Sequence, residues 1–352
     1  MSNDIIQLMI DGVKHTGWKS IRVNRSVDSL CGKFSMTLIT PKITAMPEIV
    51  PGAPAMVMIG TDRAINGYLD GIDISLSSGD AGISVSGRDR TEDLVDCSCT
   101  IAPGSWQKKT LYQMAKTLCQ PFGINVKYTL GIADPAEEFT LQIGESPFDV
   151  LSRAAKDRGL LLITYMPSAD LYIASPGSNK TNDSLVYGKN IKSIDFGYEY
   201  ANRFAKYVVK GQRSSGGDGW GQSTTYIKGE ATDQNIRSAR VKMIQAETQA
   251  TSASVSKRAQ YEAIVRAAQA ENMTVTVVGY RQSNGDLWKE NMLVDVSTTE
   301  GIIKIEGEYL ISEVEYSIGD EGKITKMTLK RKDAYAPVPT VKKTKAQGLV
   351  WR

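Results

Sequence analysis

One stretch constrains this chain's architecture more than any other: Glu145 to Ser175 reads as a short helix followed at once by a hairpin, with β-like sequence on both sides. Ser146 is an N-cap residue, Pro147 suits the first helical position, and Asp149 stands where an N3 side chain reaches back to complete a capping box. Phe148, Leu151 and Ala155 recur at i, i+3 and i+7 and give the helix an apolar side, while Asp149, Ser152, Arg153 and Lys156 line the other. Gly159 takes the left-handed position that ends a helix. The runs Leu160 to Tyr165 and Leu171 to Ala174 flank Pro167-Ser168-Ala169-Asp170, which predicts a hairpin turn.

At 352 residues the chain exceeds one ordinary core and predicts two or three domains. Residues 1–97 are strand-rich: Ile5 to Ile10 ends at the turn pair Asp11-Gly12, and Phe34, Met36 and Leu38 alternate. Strands at Ala64 to Ser75 and Gly82 to Ser86 complete a small barrel or sandwich. Residues 98–185 are an α/β section, with a helix expected from Lys108 to Cys119 ahead of the helix-and-hairpin unit. Residues 186–336 return to strands, interrupted by an alanine-rich helix at about Val255 to Glu271 whose small side chains permit close packing. A terminal hairpin pairs Tyr309 to Ile318 with Lys323 to Arg331, in a register that sets Glu315 opposite Lys326. The fold class is therefore α+β and mainly β.

The net charge of +3 hides an asymmetry. From Lys323 to Arg352 there are nine Lys/Arg and one acidic residue, while the preceding 322 residues carry 33 basic and 38 acidic groups. Residues 337–352 form a basic tail, with Lys342, Lys343, Lys345 and Trp351 as its candidate partner-binding residues. Such a tail suits an acidic protein surface or nucleic acid, and equally a solvated terminus. No apolar run approaches the length of a membrane span, so no membrane insertion is expected, and the N-terminus lacks signal-peptide features. Cys31, Cys97, Cys99 and Cys119 are sparse, which favours reduced structural thiols.

Catalytic chemistry is hard to place. His15 is the only histidine, read in an early turn, and no nucleophile elbow accompanies it. The glycine loop around Gly217, Gly219 and Gly221 lacks the strand–helix context of a phosphate cradle. Glu306 with Glu308 and Glu313 with Glu315 share strand faces; Glu137 with Glu138 and Asp70 with Asp73 diverge. All read as solvated carboxylates rather than an acid–base pair. No catalytic, cofactor or metal residues are therefore assigned, and the chain is not expected to be an enzyme.

Several motifs in order resemble one family. Ile83-Ser84-Val85-Ser86-Gly87-Arg88-Asp89 followed by Leu94-Val95-Asp96 is similar to the exit of the first barrel in baseplate hub proteins of Mu-like contractile-tailed phages. Gly144 to Leu151 with Ala154, Ala155 and Gly159 resembles that family's middle section. Gly279-Tyr280-Arg281, Asn284-Gly285-Asp286-Leu287-Trp288 and Asn291 resemble its second barrel. The resemblance spans about residues 5 to 336 and leaves the tail uncovered. It implies two β-barrels flanking the α/β section in a homotrimer, a ring that adapts the sixfold tail tube to the threefold central spike. The implied partners are further copies, the spike, the tube and other baseplate proteins, with DNA only in transit. The implied location is the virion tail baseplate, reached by assembly in the host cytoplasm. A cell-wall hydrolase or a nucleic-acid-contacting module stands as the alternative.

Overall fold

The structure is a computed structural model and describes residues 4–40, 49–76, 81–100, 104–129, 137–213, 225–245, 252–298 and 304–336. The first section supplies β1 (Ile6–Ile10), β2 (Val13–His15), β3 (Ser20–Ser26), β4 (Lys33–Thr40), β5 (Pro54–Ile59), β6 (Asp62–Leu76) and β7 (Ala81–Asp89). A 3-10 turn at Arg90–Glu92 leads into α1 (Asp93–Asp96). The middle section holds β8 (Ser105–Lys109), α2 (Leu111–Cys119), β9 (Val126–Tyr128), β10 (Glu137–Thr140), α3 (Pro147–Asp157), β11 (Leu161–Tyr165) and β12 (Asp170–Ala174). Next come β13 (Asn179–Lys180), β14 (Leu185–Val186), β15 (Ile191–Tyr198), β16 (Lys206–Arg213), β17 (Thr225–Thr232), β18 (Val241–Gln245) and α4 (Ser252–Gln269). The chain returns through β19 (Glu271–Val278), β20 (Met292–Ser297), β21 (Glu306–Gly319) and β22 (Gly322–Lys330).

Two compact units emerge. One joins residues up to Gly197 with Glu271–Lys332; the other contains Tyr198–Ala270 and the chain from Asp333. In the first unit the opening and closing β sections share a single sheet, in the order β15-β19-β22-β21-β3-β4-β7-β6-β5-β1-β2, with β20 also on β21 and β13 and β14 on β20. Among the described residues the pairings form an open path rather than the closed barrels expected. The join is β21. Its first half pairs with β20, Leu293 opposite Leu310; past a bulge between Ile311 and Glu313 it pairs with β3, Glu313 opposite Ser26 and Ile318 opposite Ile21. One apolar core runs through both sections, with Leu8, Val23, Val57 and Ile65 from the first and Val275, Val294, Val314 and Met327 from the last.

A second core in this unit lies under α2 and α3 and holds Leu111, Met114, Leu118, Val150, Leu151, Leu171 and Ile173. The expected α3 cap is present: Ser146 Oγ accepts from Asp149 N at 3.2 Å and Asp149 Oδ2 accepts from Ser146 N at 3.1 Å. Gly159 has φ 64° and closes the helix. Phe148, however, is only half-buried; Val150, Leu151, Ala154 and Ala155 form the buried stripe. The α2 expectation also needs correction at its start. Lys108 and Lys109 belong to β8, which pairs with β10, and the helix begins behind Thr110, whose capping box with Gln113 sets the boundary. His15 ends a strand instead of lying in a turn.

The second unit packs α4 on the sheet β17-β16-β18. Val255 and Ala259 of α4 meet Tyr207 and Val209 of β16 in its core. The close approach rests on a glycine of the sheet: a Cβ at Gly229 of β17 would stand 2.3 Å from the backbone of Val255 and Ser256. Within the section read only as strand-rich, the first strand of this sheet runs from Lys206 to Arg213.

Candidate functional site

The tail residues Lys342, Lys343, Lys345 and Trp351, and the glycine loop at 216–221, lie outside the described residues. The carboxylates weighed above take ordinary partners. Glu313 accepts from Asn24 Nδ2 at 2.5 Å, Glu308 pairs with Lys180 at 3.0 Å, and Glu315 sits opposite Lys326. Cys31 and Cys119 are buried, Cys97 is exposed, and all four thiols are free. Burial pushes the Cys119 thiol up to about 12, which leaves it protonated and inert. Among the described residues no group of three His, Cys, Asp or Glu side chains is placed to hold a metal ion.

The structure instead assembles buried charge. The alternation of β3 turns Ile21, Val23 and Arg25 toward the interior, so a guanidinium arrives where a strand would bury an apolar side chain. All five of its N–H groups are engaged. Nε donates to Glu290 Oε1 at 2.9 Å; Nη1 donates to Ala64 O at 3.1 Å and Asp89 Oδ2 at 3.2 Å; Nη2 donates to Thr164 O at 2.6 Å and Glu290 Oε1 at 2.7 Å. Asp89 also accepts from Gly32 N at 2.9 Å and Asn66 N at 3.0 Å. Thr164 Oγ1 donates to Leu30 O at 2.7 Å, so its 2.8 Å contact with Thr91 Oγ1 is one in which Thr91 donates. The first section, the middle hairpin and the last section thus meet on one side chain.

Burial opposes the Arg25 charge, but Glu290 and Asp89 outweigh it and its pKa lies above the usual guanidinium value. Burial raises Asp89 to about 6 against the pull of Arg25 and the two backbone N–H groups, which leaves it ionised at neutral pH. Arg281 ties the same sections a second time. It donates to Asp4 Oδ1 at 2.8 Å, Asp62 Oδ2 at 2.6 Å, Ile59 O at 3.0 Å and Gly285 O at 2.8 Å. Asn291, at φ 62°, donates to Ser175 O at 3.0 Å and accepts from Gly177 N at 2.8 Å. Arg281, Gly285 and Asn291, singled out in the sequence as motif residues, are therefore junction residues.

Arg88 organises a third cluster, with Asp70 at 2.7 Å, Asp96 at 2.7 Å and Glu92 at 3.1 Å. Glu92 is raised to about 8, first by burial and then by the Asp70 charge and its hydrogen bond to Asp70, with Arg88 opposing. Native Glu92 holds its proton up to about 8, whereas in the unfolded chain it is lost near the ordinary 4.5. The protonated carboxyl thus contributes stability that is fully present below the unfolded value and is lost as pH rises through the folded one. Thermal melts should show Tm falling from pH 6 to pH 9, with a shallower fall in Glu92→Gln. Equal slopes in the two proteins would show that Glu92 does not carry the effect.

Beside Arg25 a cleft of about 340 Å³ opens between the β11–β12 hairpin and the segment that enters β20. Tyr165 and Tyr172, edge to face with centroids 5.7 Å apart, form one wall, and Glu290 and Met292 lie on the other. Arg25 was not singled out in the sequence and Asp89 only as the end of a motif, although both carry a readable signal. Each continues a strict apolar alternation: Ile21, Val23, Arg25 on β3 and Ile83, Val85, Gly87, Asp89 on β7. A charge in the buried register of a strand demands an opposite charge.

These features define a mainly β protein whose sections are locked together by buried ion pairs. Three family models match in chain order. "Mu phage baseplate assembly protein GpP-like, N-terminal" covers residues 5–89, "Baseplate hub protein gp44-like, second domain" 91–173, and "Mu phage baseplate assembly protein GpP, fourth domain" 251–338. Baseplate hub protein gp44 of Escherichia phage Mu is 32% identical over 99% of this chain and 93% of its own length. The chain belongs to the family of Mu-like phage baseplate hub proteins. Among solved structures, the 43 kDa tail protein of prophage MuSo2 from Shewanella oneidensis superposes with TM-score 0.83 at 31% identity, covering 95% of this chain and 99% of that one. The E. coli c3393 protein, a type VI secretion component, shares the fold at 12% identity and TM-score 0.58, covering 94% of this chain and 80% of that one.

Proposed function

We propose that this chain is a structural hub of a contractile-tail baseplate and works as a homotrimeric ring, adapting the sixfold tail tube to the threefold central spike. The observation that carries the reading is the β21–β3 pairing, which makes the two β sections one continuous sheet. If each section acts as a barrel-like lobe, three copies present six similar lobes around an axis, and a threefold ring meets a sixfold tube. The working domains are then residues 1–97, 98–185 and 186–336, with the basic tail at 337–352. Support comes from the order of the matching family models and from relatives named as baseplate and tail proteins.

The hub acts without catalysis. Its charged side chains hold segments together, a structural use, and its relatives are named for structure rather than turnover. It sits in the virion tail baseplate after assembly in the host cytoplasm, against spike, tube and other baseplate proteins, and DNA only passes through its channel. Lys342, Lys343, Lys345 and Trp351 attach a partner, with Trp351 as apolar anchor and the lysines as steering charges. Electron-microscope images of the purified chain, viewed down the ring axis, should show a closed ring with six lobes. Open chains or a twofold particle would refute the ring.

A further inference from the structure

The cleft beside Arg25 contains a buried carboxylate oxygen that the chain itself leaves unpaired. Within the buried cluster, one guanidinium faces two carboxylates, Asp89 and Glu290. Glu290 has a side chain only 8% exposed; its Oε1 takes both contacts from Arg25, and its Oε2, also buried, has no hydrogen-bond partner. The other buried polar groups along the cleft are engaged. All five Arg25 donors are in use, Thr164 serves Arg25, Thr91 and Leu30, both ends of the Asn291 amide are bound, and Tyr316 donates its hydroxyl to Trp288 O. A ligand here is offered an acceptor. An unpaired carboxylate oxygen of this kind is costly, and a charged donor compensates it better than a neutral one.

The rest of the lining selects the shape of that donor. Ile163, Met166 and Met292 are apolar, and the Tyr165 and Tyr172 rings complete a wall suited to an aliphatic stem and to a cation over an aromatic face. Lys127 already stands 3.5 Å over the Tyr165 ring centroid, so that ring tolerates a cation. At the mouth the exposed Asp286 and Lys289 offset each other, and Arg63 is held to Pro167 O at 3.1 Å. We propose that this cleft receives the cationic side chain of an arginine or lysine from a partner polypeptide, with Glu290 as its acceptor. The site lies within one compact unit and does not depend on ring formation.

Met166 and Met292 supply the readout. In the full chain labelled with 13C at methionine methyls, N-acetyl-arginine methylamide and N-acetyl-lysine methylamide should shift both signals saturably. N-acetyl-norleucine methylamide, with a similar stem and no charge, should not. Tyr165→Ala, at a ring already 38% exposed, should weaken cation binding about two- to five-fold. Glu290→Gln should abolish the preference for the cations, and if that variant fails to fold the Tyr165→Ala comparison decides. An unmoved Met166 and Met292, equal response to norleucine, or an unchanged affinity in Tyr165→Ala would each overturn the proposal.

Discussion

Replacing Arg25 with methionine should destabilise the chain by about 3–5 kcal/mol, the range for removing one partner of a buried ion pair. Most of that effect comes from what is left behind. Without the guanidinium, Asp89 and Glu290 remain buried against each other, and the carbonyls of Ala64 and Thr164 lose their donor. Methionine preserves much of the side-chain volume, so the loss reports charge rather than a cavity. Urea unfolding of the variant should show a lower midpoint. Adding Glu290→Gln and Asp89→Asn should then recover part of the loss, because the uncompensated charges are gone. A change under about 1 kcal/mol, the scale of an exposed pair, would mean that Arg25 is solvated and is not the joint between sections.

The second large effect should come from Gly229→Val. A Cβ at this position would lie 2.3 Å from both Ser256 N and Val255 C. Those are backbone atoms of a helix, so no rotamer change relieves the clash, and α4 must lift from β17. The cost should exceed the ~1–3 kcal/mol of ordinary overpacking. Hydrogen exchange should locate the damage: amides of α4 and β16 lose protection while those of β21 and β22 keep theirs. Loss spread evenly over both units, or no loss at all, would contradict this packing.

Much of this architecture was legible where a local signal acts alone. The α3 cap, the Gly159 terminus and the β21–β22 register depend on residues close in sequence, and each was found in place. Periodicity located the apolar stripe of α3 but not its centre, so Phe148 stands at the edge and Val150 and Ala154 in the middle. The α2 helix was started too early because Lys108 and Lys109 are neutral in a helical pattern; the decisive residue was the cap, Thr110. Strand β18 escaped because its alternation is inverted, with Val241 and Met243 exposed. The Arg25 cluster was hidden for a different reason. Its members stand 64 and 265 positions apart from Arg25, and only the pairing of β21 with β3 shows how such distant segments share a core. The tail, with Lys342, Lys343, Lys345 and Trp351, lies outside the described residues.

The most direct test of the account is the native mass of the purified full-length chain, measured by light scattering behind size exclusion across a range of concentrations. A hub that builds its own ring should elute as three copies, or converge on three as concentration rises. A mass that stays at one copy, or settles at two or four, would contradict a trimeric ring as the working form of this protein.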